Sequence, residues 1–157
     1  HFTNEGMTLA QASALLTQMA AFGMGGKLIF GFLSERITAR HSFALSLGGQ
    51  MLGICLIVLS GTTNFIWLAM PIFGVAFGGL GALIPLLVQE LFGLKAFGSI
   101  FGMVNLATVG SFLGGPIMVG LFVDATGSYP PAFFAVVGLF LVGIVLVLLA
   151  RPLPNWD

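Results

Sequence analysis

Long apolar runs separated by short polar gaps are the dominant pattern along this chain of 157 residues. An apolar helix of about 20 residues is long enough to cross the roughly 30 Å hydrocarbon core of a lipid bilayer. The chain has five such runs, so the pattern predicts an all-α membrane protein with five transmembrane helices. The predicted spans are residues 8–33, 42–59, 65–92, 96–123 and 130–150.

Polar residues and prolines indicate where these helices begin. Thr8 and Gln11 have the spacing of a capping box, in which each side chain binds the other residue's backbone. Ser42 and Asn64 are predicted N-caps of the second and third helices. Pro130 fits the first turn of the fifth helix, where its missing N–H costs nothing. Because the connections are short, consecutive helices should run antiparallel.

The composition supports this assignment. Hydrophobic residues make up 58% of the chain, charged residues only 6%, and the mean hydropathy is +1.11, whereas a soluble domain carries about 25% charged residues. The net charge is zero, with no basic cluster, which argues against nucleic acid as a partner. A single cysteine, Cys55, permits no internal disulfide and disfavours a structural zinc site. We expect the lipid bilayer as partner, and neither a metal nor a cofactor.

The charged residues predict an orientation. With alternating helices, four basic residues fall on one side of the membrane: Arg36, Arg40, Lys95 and Arg151. The other side carries Glu5, the uncharged segment 61–64 and Asp124. Lys and Arg accumulate on the cytoplasmic side of membrane proteins. The four basic residues are therefore predicted to be cytoplasmic, in a multi-pass protein of the plasma (inner) membrane.

One polar motif follows the first predicted helix. Gly31 lies one turn inside the membrane, the pair Glu35 and Arg36 lies at the interface, and Arg40 follows. Glycine lets a neighbouring backbone approach. A carboxylate at Glu35 could accept hydrogen bonds from the N-terminus of another helix. The alternative is that these are ordinary interfacial charges.

Small residues and prolines bear on packing and motion. Pairs four residues apart should let helices approach closely; they are Gly74/Gly78, Gly98/Gly102, Gly110/Gly114 and Ser111/Gly115. Pro85 removes the hydrogen bond to Gly81 and should bend the third helix. We hypothesise that Pro85 and Pro116 are hinges, and a passive bend is the alternative.

A second motif closes the fourth predicted helix: Gly114, Gly115, Pro116, Gly120, Asp124, Gly127 and, further on, Phe133. It resembles the junction between the eleventh and twelfth helices of major facilitator superfamily transporters, especially bacterial monocarboxylate and oxalate–formate carriers. The segment 26–40 is similar to the motif after the second and eighth helices of the same superfamily. Here Gly31, Glu35, Arg36 and Arg40 would form a conformational motif, and Asp124 and Gly127 an outer loop motif.

The resemblance covers residues 7–151 and implies the eighth to twelfth helices of a twelve-helix transporter. The N-terminal half and the seventh helix would then be missing partners, so we expect no transport by these residues alone. Family members hold a solute between two halves and work by alternating access. The family therefore implies transport of a small solute.

Polar residues inside the spans are few. Lys27 lies about 9 Å inside the first helix, by helical rise; it either snorkels to the interface or faces a central cavity and attracts an anion. No Lys or Arg lies between Lys95 and Arg151, where oxalate carriers have a second cation. The resemblance thus favours a singly charged or neutral solute, such as a monocarboxylate.

Four other polar residues have two interpretations each. Asn105 and Thr108 share one helical face and could bind solute, although interhelical hydrogen bonds are favoured. Gln18 and Gln50 are also expected to form interhelical bonds. Glu90 lies at the end of the third predicted helix, where contact with solvent is expected to explain its presence.

The spans contain no constellation of nucleophile, acid and base, so no catalytic residue and no enzyme is predicted. The leading function is solute transport. The alternative is a membrane scaffold or assembly factor without transport activity.

Overall fold

The computed structural model describes residues 8–60, 66–127 and 130–151. Within these ranges the chain forms five α-helices and no strand: α1 (Leu9–Arg36), α2 (Ala39–Ser60), α3 (Ile66–Phe92), α4 (Phe97–Thr126) and α5 (Pro130–Leu149). Each helix is long and apolar enough to cross a membrane. The predicted all-α class with five transmembrane helices is confirmed.

The helix ends follow the sequence signals only in part. Thr8 and Gln11 form the predicted capping box, with the Gln11 N–H donating to Thr8 Oγ1 (3.3 Å) and the Thr8 N–H donating to Gln11 Oε1 (3.0 Å). The predicted cap at Ser42 is wrong, because α2 begins earlier, at Ala39, and Ser42 is buried within its first turns. Glu5, Asn64 and the segment 61–64 lie outside the described residues.

The end of α4 also differs from the prediction. The helix continues past residue 123, so Asp124 lies exposed in its last turn and not in a loop. Gly127 ends the helix with φ 69°, and its N–H donates to the Val123 carbonyl (2.7 Å). Glycine is favoured there because it adopts this left-handed conformation without strain.

Helix α3 is the centre of the fold. It packs along α1 and α2, and α2 packs in turn against α5. Helix α4 touches only α3 and α5, over short stretches, and none of its residues is buried. The apolar surface of α4 therefore faces away from the described core.

Glycines bring α1 and α3 into backbone contact. A Cβ on Gly26 would collide with the Val75 backbone, one on Gly78 with the Gly23 backbone, and one on Gly74 would lie 2.5 Å from the Met19 carbonyl oxygen. The expected close approach at Gly74 and Gly78 is thus observed. The glycines of the α4 pairs meet nothing within 4 Å among the described residues: Gly98, Gly102, Gly110, Gly114 and Gly115.

Two polar contacts join the helices. Gln18 Nε2 donates to the Trp67 carbonyl of α3 (3.4 Å), so the expected interhelical bond of Gln18 is confirmed. Between α2 and α3 the donor is Ser46 Oγ, which binds the Ala76 carbonyl (2.7 Å). Gln50 is buried and donates to Ser46 of its own helix; the interhelical bond expected of it is made by Ser46 instead.

Candidate functional site

A cavity of about 320 Å³ lies between α1, α3 and α4 and brings together three predicted site residues, Lys27, Asn105 and Thr108. Gly81 and Pro85 of α3 also line it. Most of the remaining lining is aromatic or aliphatic. The cavity thus combines one cation and two uncharged polar side chains with apolar walls.

Lys27 reaches the cavity where α1 passes α3 closely. Its Cε would lie 3.4 Å, and its Nζ 3.9 Å, from a Cβ built on Gly81. A side chain at position 81 would therefore be in ordinary contact with the lysine, so Lys27 lies directly beside this part of α3. Pro85 has no N–H to donate to the Gly81 carbonyl, so a backbone acceptor lacks its helical donor in the segment of α3 that lines the cavity.

No carboxylate pairs with Lys27 in the part of the chain that the structure describes. The ion pair found there joins Arg40 and Glu90 instead. The Lys27 side chain is exposed to the cavity and makes no hydrogen bond to a described residue. Its positive charge is therefore available to an anionic ligand.

Asn105 and Thr108 bind their own helix. Asn105 Nδ2 donates to the Phe101 carbonyl (3.0 Å), and Thr108 Oγ1 donates to the Val104 carbonyl (2.8 Å). The interhelical bonds favoured from the sequence are not made among the described residues. Asn105 retains Oδ1 and a second amide hydrogen, and the Thr108 oxygen retains acceptor capacity. Both side chains can still bind a ligand in the cavity.

Phenylalanines form much of the cavity wall. Phe77 of α3 and Phe112 of α4 meet edge to face with 6.4 Å between ring centroids, and Phe101 stacks on Phe97 at 5.3 Å. Apolar walls lower the local dielectric, which strengthens the attraction of Lys27 for an anion. The chemistry of the cavity fits a small anion with an apolar part.

A second polar cluster joins three helices at the end of the bundle that carries Arg36 and Arg40, which we call the cationic end. Arg40 Nε donates to Glu90 Oε1 (2.8 Å), and Arg40 Nη1 donates to the Ala150 carbonyl (2.7 Å). Glu90 Oε2 accepts from the Ala39 N–H (2.6 Å) at the start of α2. Glu90 is therefore a helix cap and an ion-pair partner, and the expectation that solvation accounts for it is wrong.

Comparison with known proteins assigns the family. Residues 2–156 match the Major Facilitator Superfamily. The chain belongs to this superfamily.

Three superfamily relatives show the range of similarity. Monocarboxylate transporter 12 of Mus musculus is 29% identical over 82% of this chain and 27% of its own length. Monocarboxylate transporter 2 of Homo sapiens is 27% identical over 80% and 27%. Sialic acid transporter NanX of Escherichia coli (strain K12) is 22% identical over the whole chain and 38% of its own length. No solved structure matches the chain significantly.

This superfamily chain thus spans a quarter to two fifths of the length of these curated relatives. It forms five helices of an integral, multi-pass membrane protein.

The segment 31–40, which resembles a superfamily motif, has few contacts in this structure. Glu35 is exposed and makes no hydrogen bond to a described residue; the capping bond considered for it is made by Glu90. Arg36 lies over the Phe32 ring, 5.0 Å from its centroid. A Cβ on Gly31 would meet nothing within 4 Å. Among the described residues, the bonds from this segment to other helices are made by Arg40 and by the Ala39 N–H.

The predicted hinge residues lie in continuous helices. Helix α3 runs without interruption through Pro71 and Pro85, and α4 through Pro116. The sequence interpretation did not consider Pro71. This proline has no N–H to donate to the Trp67 carbonyl, and Gln18 binds that carbonyl instead. A proline inside one predicted membrane helix, together with an amide side chain inside another, is the sequence signal that could have suggested this contact.

Proposed function

We propose that the chain is the C-terminal part of a twelve-helix secondary transporter for a small organic anion such as a monocarboxylate. The observation that carries this proposal is the unpaired Lys27 ammonium in a largely apolar cavity of a superfamily chain. The names of the monocarboxylate transporters among its relatives support the same solute class. Solute would reach the cavity from alternate sides of the membrane.

In this proposal Lys27 attracts the carboxylate, while Asn105 and Thr108 orient it through the hydrogen-bonding groups they retain. The phenylalanine walls receive the apolar part of the solute. A single cation balances a single negative charge, whereas a dianion would bring one uncompensated charge into an apolar site. Monocarboxylates should therefore be preferred over oxalate.

The proposal also concerns the other half of the transporter and the orientation of the helices in the membrane. Segments outside this chain would supply the facing wall of the cavity and, if transport is coupled to protons, the coupling acid. Arg36, Arg40, Lys95 and Arg151 would face the cytoplasm, in accordance with the positive-inside rule.

Uptake by the full-length protein tests this function. We expect radiolabelled pyruvate, lactate or formate to accumulate saturably, and oxalate to accumulate less. Lys27→Gln should raise KM by about tenfold or more, because it removes a charge-assisted hydrogen bond of about 1.5–3 kcal/mol. Repeating uptake with and without a proton gradient identifies coupling.

Lys95→Gln is the matched control, since it removes an exposed cation outside the cavity. Its KM should stay near that of the wild type. Equal changes in both variants would contradict an anion site at Lys27. If no organic anion accumulates, transport of this class is excluded and a scaffold function becomes the better account.

A further inference from the structure

A second, larger concavity lies on a different side of the molecule. It is a groove of about 750 Å³ between α2 and α5 at the cationic end. Its floor consists of aliphatic side chains, Ala44 and Leu45 of α2 and Ile144 and Leu148 of α5. Arg36 and His41 form part of its rim. The transport cavity shares none of these residues, so the groove is a separate feature.

The packing of α2 against α5 accounts for the place of the groove. A Cβ on Gly143 would lie 3.4 Å from Leu47 Cδ1, so the two helices are close at this level. Nearer the cationic end the groove opens between them. Beyond it, the bond from Arg40 to the Ala150 carbonyl (2.7 Å) ties the helix ends together. The groove is therefore held open between two fixed contacts.

The rim carries positive charge that the described residues do not compensate. Glu90 pairs with Arg40, whereas Arg36 lies over the Phe32 ring and forms no ion pair with a described residue. His41 Nδ1 lies 2.7 Å from Thr38 Oγ1, which leaves Nε2 for another partner. The nearest acid in sequence, Glu35, is exposed and does not line the groove. An anion at the rim would meet a guanidinium whose five N–H donors suit a phosphate.

The depth of the groove matches a lipid. His41 to Leu45, in the first turns of α2, and Ile144 to Leu148, in the last turns of α5, each span about 6 Å of helix axis. This is the depth at which headgroups give way to acyl chains. Leu141 of α5, about half exposed, lies one turn further into the membrane and extends the apolar surface. A phosphate at the rim would thus have an acyl chain directly below it.

We propose that this groove binds an anionic glycerophospholipid. Its phosphate lies between Arg36 and His41, and one acyl chain lies along Leu45, Ile144 and Leu148. Basic pockets between membrane helices are known to favour anionic headgroups. The proposal depends on the groove, its charge and the membrane setting, and it stands independently of the transported solute.

Native mass spectrometry of the full-length protein in detergent tests this site. The probes are phosphatidylglycerol and phosphatidylcholine with the same acyl chains. We expect phosphatidylglycerol to bind more tightly to the wild type. Arg36→Gln should weaken its binding about fivefold, the factor that corresponds to one basic residue near an anionic lipid. Ile144→Trp, which fills the groove without changing charge, should weaken binding of both lipids.

Lys95→Gln is again the matched control, because it removes a cation from the same end but outside the groove. It should leave the preference for phosphatidylglycerol intact. Equal losses in Arg36→Gln and Lys95→Gln, or equal binding of the two lipids to the wild type, would overturn the proposal. Arg36 is exposed, so its substitution remains decisive even if Ile144→Trp impairs folding.

Discussion

Two side chains of α1, Gln18 and Lys27, lie beside segments of α3 in which a proline leaves a carbonyl without its helical donor. Gln18 donates to the Trp67 carbonyl, which Pro71 cannot reach with an N–H. Lys27 lies near Gly81, which Pro85 deprives in the same way. The neutral amide has a fixed partner, whereas the ammonium makes no hydrogen bond to a described residue. The first contact is structural, and the second stays available to solute.

This difference predicts distinct effects of the two prolines. Pro85→Ala supplies an N–H to the Gly81 carbonyl and should stiffen α3 beside the cavity. A hydrogen bond contributes about 0.5–1.5 kcal/mol, so we expect turnover by the full-length transporter to fall about two- to tenfold. The measurement is kcat for solute exchange in proteoliposomes.

Pro71→Ala is the control in the same helix. It should leave turnover nearly unchanged, because Gln18 already binds the carbonyl concerned. Wild-type turnover in Pro85→Ala, or equal slowing by both substitutions, would show that Pro85 is a passive bend.

At the scale of the helices, hydrogen bonds to α3 and to the end of α5 fix the start of α2. The Ala39 N–H donates to Glu90 of α3, and Arg40 binds both Glu90 and the last turn of α5. A carboxylate at a helix N-terminus satisfies an unpaired N–H and interacts favourably with the helix dipole. These bonds fix the ends of α2, α3 and α5 relative to one another.

Removing this cap should loosen the start of α2. Loss of an N-cap destabilises a helix by about 0.5–2 kcal/mol. Glu90→Ala should therefore speed amide hydrogen exchange in the first turn of α2 about two- to thirtyfold. Exchange is measured by mass spectrometry on peptides that begin at the first turn of α2. Glu35→Ala is the control, because Glu35 makes no bond to this turn. Faster exchange in Glu35→Ala than in Glu90→Ala would contradict the assignment of the cap.

The sequence predicts the helices better than their ends and contacts. Apolar runs of sufficient length determine five spans, and the Thr8–Gln11 box is local, so both could be predicted. The bond from Ala39 to Glu90 could not, because these residues are 51 residues apart and only the packing of α2 on α3 joins them. Ser42 suits a cap by residue type, but α2 begins earlier, where Thr38 Oγ1 accepts from the His41 N–H (3.4 Å) and Glu90 accepts from the Ala39 N–H.

The candidate site could also be predicted only in part. The unusual Lys27, Asn105 and Thr108 stand out among apolar residues and could be chosen from the sequence. Their common cavity depends on α1 and α4 both packing on α3, which no local pattern encodes. The phenylalanine walls were not predicted either, since aromatic residues in a membrane helix suit lipid as well as a binding site.

At the scale of the whole molecule, the packing is uneven. Helices α1, α2 and α3 contain most of the buried residues, and α4 contains none. Its small-residue pairs meet no other helix of the described chain, although such pairs commonly mark helix contacts. In the twelve-helix transporter that we propose, α4 and the cavity would face the remaining helices.

The proposed solute site and lipid site both depend on five membrane crossings with the basic connections on one side. Single cysteines placed in a Cys55→Ser background of the full-length protein measure this directly, by labelling with a membrane-impermeant maleimide. We expect Ile37→Cys and Lys95→Cys to react from one side, and Ala125→Cys from the other. Labelling of positions 37 and 125 from the same side would contradict the five-span topology.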